Sequence, residues 1–163
     1  MKYNFYDLKT IIPKLKSNLR IAVVYGGNKD TEGSVIYRTN NPRSWKSYQL
    51  VAEDIAQALR ELGFKHVSIF SDDMHFISRI KDEKIDLVWL NTGGVQGYIP
   101  MSHAAAMLEM VGIPYIGHNP QNAGIMDSKH IFKHLLMQFG IPTSKFVLFP
   151  QQHLSEESLD VSM

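Results

Sequence analysis

Ile85-Asp86-Leu87-Val88-Trp89-Leu90-Asn91-Thr92-Gly93-Gly94-Val95-Gln96-Gly97 passes from an apolar run into a turn with three glycines in five positions. The apolar half is too short for a buried helix and reads as a strand. The glycine half brings bare backbone to that strand's carboxyl end, the edge where open α/β sheets bind ligands. Leu19-Arg20-Ile21-Ala22-Val23-Val24-Tyr25 followed by Gly26-Gly27 repeats the pattern earlier in the chain. Two strand-to-glycine turns on one sheet predict a single crevice, with the other elements as its supports.

Outward from these turns, Trp45, Tyr48, Ala52, Ile55, Leu59 and Leu62 recur at steps of three and four, an apolar helical stripe that Ser44 caps and Gly63 ends. His66 to Phe70 is a second strand, followed by Ser71-Asp72-Asp73 and a short helix around Phe76, Ile77 and Ile80. A helix from Ser102 or His103 stops at Gly112, and Ile113 to Gly117 is a short fourth strand. From Asp127 or Ser128 a further helix is expected to bury Ile131, Phe132, Leu135 and Phe139, with Lys145 to Phe149 as one more strand. Phe5, Leu8, Ile12 and Leu15, around Pro13, predict a short helix or arm packed across the domain. Strands alternating with helices predict an α/β fold, a Rossmann-like parallel sheet with helices on both faces.

At 163 residues the chain is the size of one domain. Its 17 basic and 16 acidic residues leave no net field to draw nucleic acid or an anionic membrane, so neither is expected as a partner. With no cysteine, thiol catalysis, thiolate zinc sites and disulfides are all excluded. No apolar run approaches membrane length and the amino terminus lacks signal-peptide layout, so a cytoplasmic location is the expectation.

Asn28 to Ser44 is polar and long, a binding loop or a surface insertion. Its Asp30 and Glu32 are either solvated acids or a carboxylate that grips a substrate ammonium. Gly26-Gly27-Asn28-Lys29-Asp30-Thr31-Glu32-Gly33 is not the dinucleotide fingerprint, since its later glycines fall at the wrong offsets. Asp72 and Asp73 follow the second strand where a dinucleotide fold keeps its ribose acid; without the fingerprint a solvated turn is the expectation. The segment Asn91 to Gly97 can form an anion-binding nest, aided by the helix that starts near Ser102. His130 and His134 stand four apart on one helix face beside Lys129 and Lys133, with no cysteine in the chain and no acidic residue one turn further along that face, and read as a solvated face with no metal. His103 and His118 lie nearer the expected crevice. Spacing assigns neither of them a partner, and no catalytic residue is named.

Together, Gly26-Gly27 after the first strand, the helix to Gly63, Met107-Leu108-Glu109-Met110-Val111-Gly112-Ile113-Pro114-Tyr115-Ile116-Gly117-His118, then Lys129, Lys133 and Gly140-Ile141-Pro142-Thr143 resemble the front of D-alanine–D-alanine ligases and related ATP-grasp enzymes. The resemblance implies an amino-terminal arm at 1–18, a Rossmann-like pre-ATP-grasp domain at 19–123 and the truncated start of an ATP-grasp domain at 124–163. It further implies a substrate-binding domain of an ATP-dependent carboxylate–amine ligase, with ATP and magnesium used by the full-length enzyme and no cofactor expected for this piece, which would be inactive alone. Gly26, Gly27, Glu32, Asn91, Gly93 and Gly94 would contact a small amino-acid or carboxylate substrate, and Lys129 would approach the ATP phosphates. Asn91 stands where the family has a histidine, and the family's acidic pair after the glycine turn is absent. A homodimer is expected from the family. The rival readings are a stand-alone module that binds a small carboxylate or dimerises without catalysis, and a flavin- or nucleotide-binding regulator working through Asp72 and Asp73.

Overall fold

The computed structural model describes residues 5–27, 45–92 and 100–148. The chain divides into two compact units, Met1–Asp127 and Ser128–Met163. The first is built on four parallel strands, β1 (Arg20–Tyr25), β2 (His66–Ser71), β3 (Leu87–Asn91) and β4 (Tyr115–Ile116), in the order β2-β1-β3-β4.

The central strand β1 is apolar without alternation because it is covered on both sides. Ala22 and Val24, with Phe70 of β2 and Val88 of β3, pack against α3 (Phe76–Asp82) and α4 (His103–Val111) through Phe76, Ile80, Ala104 and Leu108. Ile21 and Val23 point the other way, onto Ala52, Ala56 and Leu59 of α2 (Trp45–Glu61). Those three recur at one helical face, and the two alanines let the helix axis come close to the sheet. Phe76, Leu108 and Val88 are fully buried, each such side chain contributing roughly 1.5–3 kcal/mol by leaving water.

Helix ends follow the glycines. At Gly112 the backbone is left-handed, φ 73°, and the N–H groups of Gly112 and Ile113 return to the Glu109 and Leu108 carbonyls at 3.2 and 3.0 Å. The chain can then reverse into β4 without leaving those carbonyls unpaired.

The connections decide where a ligand can sit. From β1 the chain moves outward through α2 to β2, then returns across β1 through α3 to β3, and continues the opposite way through α4 to β4. Direction therefore reverses between β1 and β3, and the carboxyl ends of these two strands are the place where sheets of this topology form a ligand crevice.

Several expectations are corrected. The first helix, α1 (Phe5–Asn18), runs through Pro13, which has no N–H to donate to the preceding turn, and its Ile11, Ile12 and Leu15 stay exposed. A helix, α5 (Pro120–Asp127), fills a stretch that carries too little apolar periodicity to announce itself. In the second unit α6 (Lys129–Gln138) forms, yet Ile131, Phe132 and Leu135 are 44%, 37% and 38% exposed and Phe139 is 78% exposed. Residues 141–148 adopt no regular structure, so the expected strand there is absent as far as Leu148. A strand needs a ladder partner, and the described residues of this unit offer only one helix. Ser44 and the Asn28–Ser44 loop lie outside the described residues.

Candidate functional site

The crevice is bounded by three strand ends. Tyr25 pairs with Ser71 on one side and Asn91 on the other, so Gly26-Gly27, Asp72-Asp73 and Thr92 all emerge at the same edge of the sheet. Gly26 and Gly27 are buried. Asp72 crosses from β2 over the end of β1: its N–H donates to the Tyr25 carbonyl at 3.0 Å, while its carboxylate accepts the Gly27 N–H at 2.6 Å and the Thr92 hydroxyl at 2.6 Å. One side chain thus ties both lips of the crevice together. Burial pushes the Asp72 carboxyl above its ordinary value, outweighing the hydrogen bonds from Thr92 and Gly27 that favour the ionised form.

Asp73 has the opposite balance. It is buried, and burial opposes its charge, yet hydrogen bonds from Arg79, the Ser71 hydroxyl at 2.5 Å and the His75 N–H at 2.8 Å hold its carboxyl below the ordinary range. Arg79 also donates to the Ser71 carbonyl at 3.2 Å and lies 5.8 Å from the centre of the Phe70 ring. The turn from β2 into α3 is therefore locked from inside. A solvated turn is what the sequence suggests here; the two acids are instead structural ties. The available signal was their position directly after a strand of the sheet, at its carboxyl end.

Asn91 belongs to the same edge, and its side-chain amide donates to the Tyr48 carbonyl of α2 at 3.1 Å. On the far side of Asp72 a cleft of about 250 Å³ is lined by Asp72, Asp73, Met74, His103, Ala104 and Met107 among others. His103 is exposed at the first turn of α4. The hydroxyl of Ser102, just before it, donates to the Pro120 carbonyl at 2.8 Å and leaves the helix start without a side-chain cap. His118 is exposed beyond β4. Glu32, Gly93 and Gly94 lie outside the described residues, as does Asp30.

In the second unit Lys129 is exposed at the start of α6, and Ser128 makes no side-chain cap. Lys133 donates to the Ser144 hydroxyl at 2.7 Å and sits 5.2 Å from the centre of the Phe146 ring, which His134 meets edge-on at 5.1 Å. The histidine pair is thus split: His134 packs against Phe146 rather than lying on a purely solvated face. Among the described residues no three His, Asp or Glu side chains gather as a metal site. A cleft of about 730 Å³ in this unit is lined by His134, Ile141, Pro142, Lys145, Phe146 and Leu148 among others.

No family model matches the chain. A search of curated proteins finds an uncharacterised protein of Sinorhizobium fredii, 29% identical over 125 residues, which are 72% of this chain and 37% of that one. It also finds D-alanine–D-alanine ligases of Pelotomaculum thermopropionicum, 27% identical over 86% of this chain and 39% of that one, and of Coprothermobacter proteolyticus, 28% identical over 67% and 35%. Among solved structures, D-alanine–D-alanine ligase from Bacillus anthracis complexed with ATP superposes with a TM-score of 0.61 at 26% identity, over 87% of this chain and 42% of that chain. In sequence and in fold the chain is similar to D-alanine–D-alanine ligases. A second structure of the Bacillus anthracis enzyme, at 23% identity and a TM-score of 0.59, supports the fold alone. The ligase-like chain spans less than half the length of each of these relatives. Among the described residues no helix is long and apolar enough to cross a membrane.

Proposed function

We propose that this chain is the amino-terminal, substrate-binding portion of an ATP-dependent carboxylate–amine ligase and that it does not ligate alone. The observation that carries the proposal is the crevice between β1 and β3: both lips are backbone-rich strand ends, tied at one edge, in a chain whose sequence and fold are D-alanine–D-alanine ligase-like. Gly26, Gly27, Asn91, Gly93 and Gly94 receive a small amino acid or other carboxylate, and Glu32 holds its ammonium group. Backbone N–H groups at such an edge stabilise negative charge as an acyl phosphate forms and an amine attacks it.

Lys129 is assigned to the ATP phosphates. It is exposed beside helix N–H groups that lack a side-chain cap, a donor set that suits phosphate oxygens. ATP, when bound, supplies the phosphoryl group that activates the carboxylate. Magnesium accompanies it in such ligases, and this chain's described residues are assigned no part in holding it. The working enzyme is a cytoplasmic homodimer without nucleic-acid or membrane partners. The domains are an arm at 1–18, the substrate domain at 19–123 and the beginning of the nucleotide-binding domain from 124.

The test compares the purified chain with the chain joined to the remaining length of a relative such as the Pelotomaculum thermopropionicum ligase. ATP-dependent release of phosphate with D-alanine present is expected from the fusion and absent from the chain alone. Phosphate release by the chain alone overturns the claim of inactivity. Binding of a small carboxylate by the chain, with a fusion that stays inactive, favours the stand-alone module instead.

A further inference from the structure

We propose that Asp72 is the positioning residue of the crevice, its carboxylate holding Gly27 on one lip and Thr92 on the other at a single fixed separation. The significance of that separation rests on reading the crevice as the substrate site; the geometry itself does not. Three observations carry the inference. The two oxygens divide their work: Oδ1 accepts the Gly27 N–H and Oδ2 the Thr92 hydroxyl, both at 2.6 Å. The Asp72 backbone is itself anchored, its N–H donating to Tyr25 one residue beyond the last paired position of β1 and β2, so the carboxylate cannot swing away with a loose loop. And the residues it joins leave β1 and β3, the two strands between which the chain reverses direction.

Sheet hydrogen bonds already fix β1 to β3 as far as Tyr25 and Asn91. The paired positions of β1 and β3 end there, and among the described residues Gly27 and Thr92 are joined through Asp72. A carboxylate is suited to this place because it accepts two donors at once and donates to none. An asparagine can keep the Gly27 N–H on its carbonyl oxygen, but it presents an NH₂ group to Thr92. The neighbouring Asp73 cannot substitute, since its oxygens are engaged by Arg79, Ser71 and His75.

The experiment reads the Gly27 amide by nuclear magnetic resonance in the ligand-free chain, so its outcome is independent of whether the chain belongs to a ligase. In the wild type this amide is expected far downfield and slow to exchange with solvent. Thr92→Val replaces the bridging hydroxyl with a methyl group of similar size, and it should speed Gly27 exchange by about threefold or more, across the crevice. Asp72→Ala should speed it by tenfold or more, and Thr92→Val added to Asp72→Ala should change it no further. Amides of Val23 and Ile69, inside the sheet, serve as the folding control and are expected to hold their protection in every variant. Where Asp72→Ala fails to fold, Thr92→Val alone decides. Gly27 exchange that stays within twofold of wild type in Thr92→Val, or that responds to Thr92→Val equally with and without Asp72, overturns the proposal.

Discussion

Asp73→Ala is the substitution whose cost the structure sets most directly. The carboxylate's side chain is 2% exposed and accepts hydrogen bonds from a guanidinium, a buried hydroxyl and a backbone N–H. Truncation leaves the Ser71 hydroxyl and the His75 N–H without their acceptor, a loss of roughly 1 kcal/mol or more for each. Arg79 loses its ionic partner, but its side chain is 35% exposed, so water repays part of that and its share falls at the low end for a buried pair. The expected destabilisation is about 3 kcal/mol, equivalent to roughly 10 °C in melting temperature for a domain of this size. Asp73→Asn retains the shape and one acceptor oxygen and should cost about half as much. Urea unfolding followed by tryptophan fluorescence measures both. A loss below about 1 kcal/mol for Asp73→Ala would refute the reasoning, because it would mean the three donors find water as easily as they find the carboxylate.

The two adjacent acids should impose opposite pH dependences. Asp73, its carboxyl held below the ordinary 3.8, contributes stability that is present above that value and lost as pH falls through its folded value; Asp72, raised above 3.8 by burial, contributes stability that is complete below 3.8 and lost as pH rises through its folded value. Unfolding titrations of Asp72→Asn and Asp73→Asn from pH 2.5 to 7 should therefore show gaps from wild type that change in opposite directions, and parallel gaps would contradict the assignment. Gly112→Ala meets open space, so its cost is that of a left-handed alanine alone, about 1 kcal/mol, whereas a Cβ on Gly117 lies 3.1 Å from the Leu90 Cβ and Gly117→Ala should cost about 2 kcal/mol or more. Thermal melts of the pair rank them. Asn91→Ala should cost about 1 kcal/mol through the lost hydrogen bond to Tyr48, and a double substitution with Asp72 should be additive within about 0.5 kcal/mol, since the hydrogen bonds of the two side chains among the described residues go to different groups.

The sheet was legible because β1 and β3 are short apolar runs closed by polar or glycine-rich turns, a pattern that buried parallel strands require. Gly112 was legible for a similar reason: the left-handed residue that ends α4 is one that only glycine adopts without strain. What could not be read were properties of partners. Ile131, Phe132 and Leu135 have the spacing of a core-facing helix, and spacing does not say whether a second surface arrives. The same holds for Lys145 to Leu148, whose composition suits a strand while its backbone has no described ladder to join. Asp72 and Asp73 failed in the other direction. Acids in a turn are solvated as a rule, and only the position of Gly27, Thr92 and Arg79 in space turns these two inward.

The reach of Asp72 also explains why the crevice can be rigid without being filled. Adjacent strands lie about 4.8 Å apart, so the ends of β2 and β3 are separated by roughly twice that with β1 between them. An aspartate standing straight up from β2 would fall short of Thr92. It succeeds because its backbone stays held beside β1, where the Tyr25 carbonyl takes its N–H at 3.0 Å, and the Thr92 hydroxyl reaches back to meet the carboxylate at 2.6 Å. The strand that is not part of the crevice thereby controls both strands that are. The tie occupies the Gly27 N–H and the Tyr25 carbonyl, so on the proposed reading a substrate carboxylate is met by other backbone N–H groups of this edge.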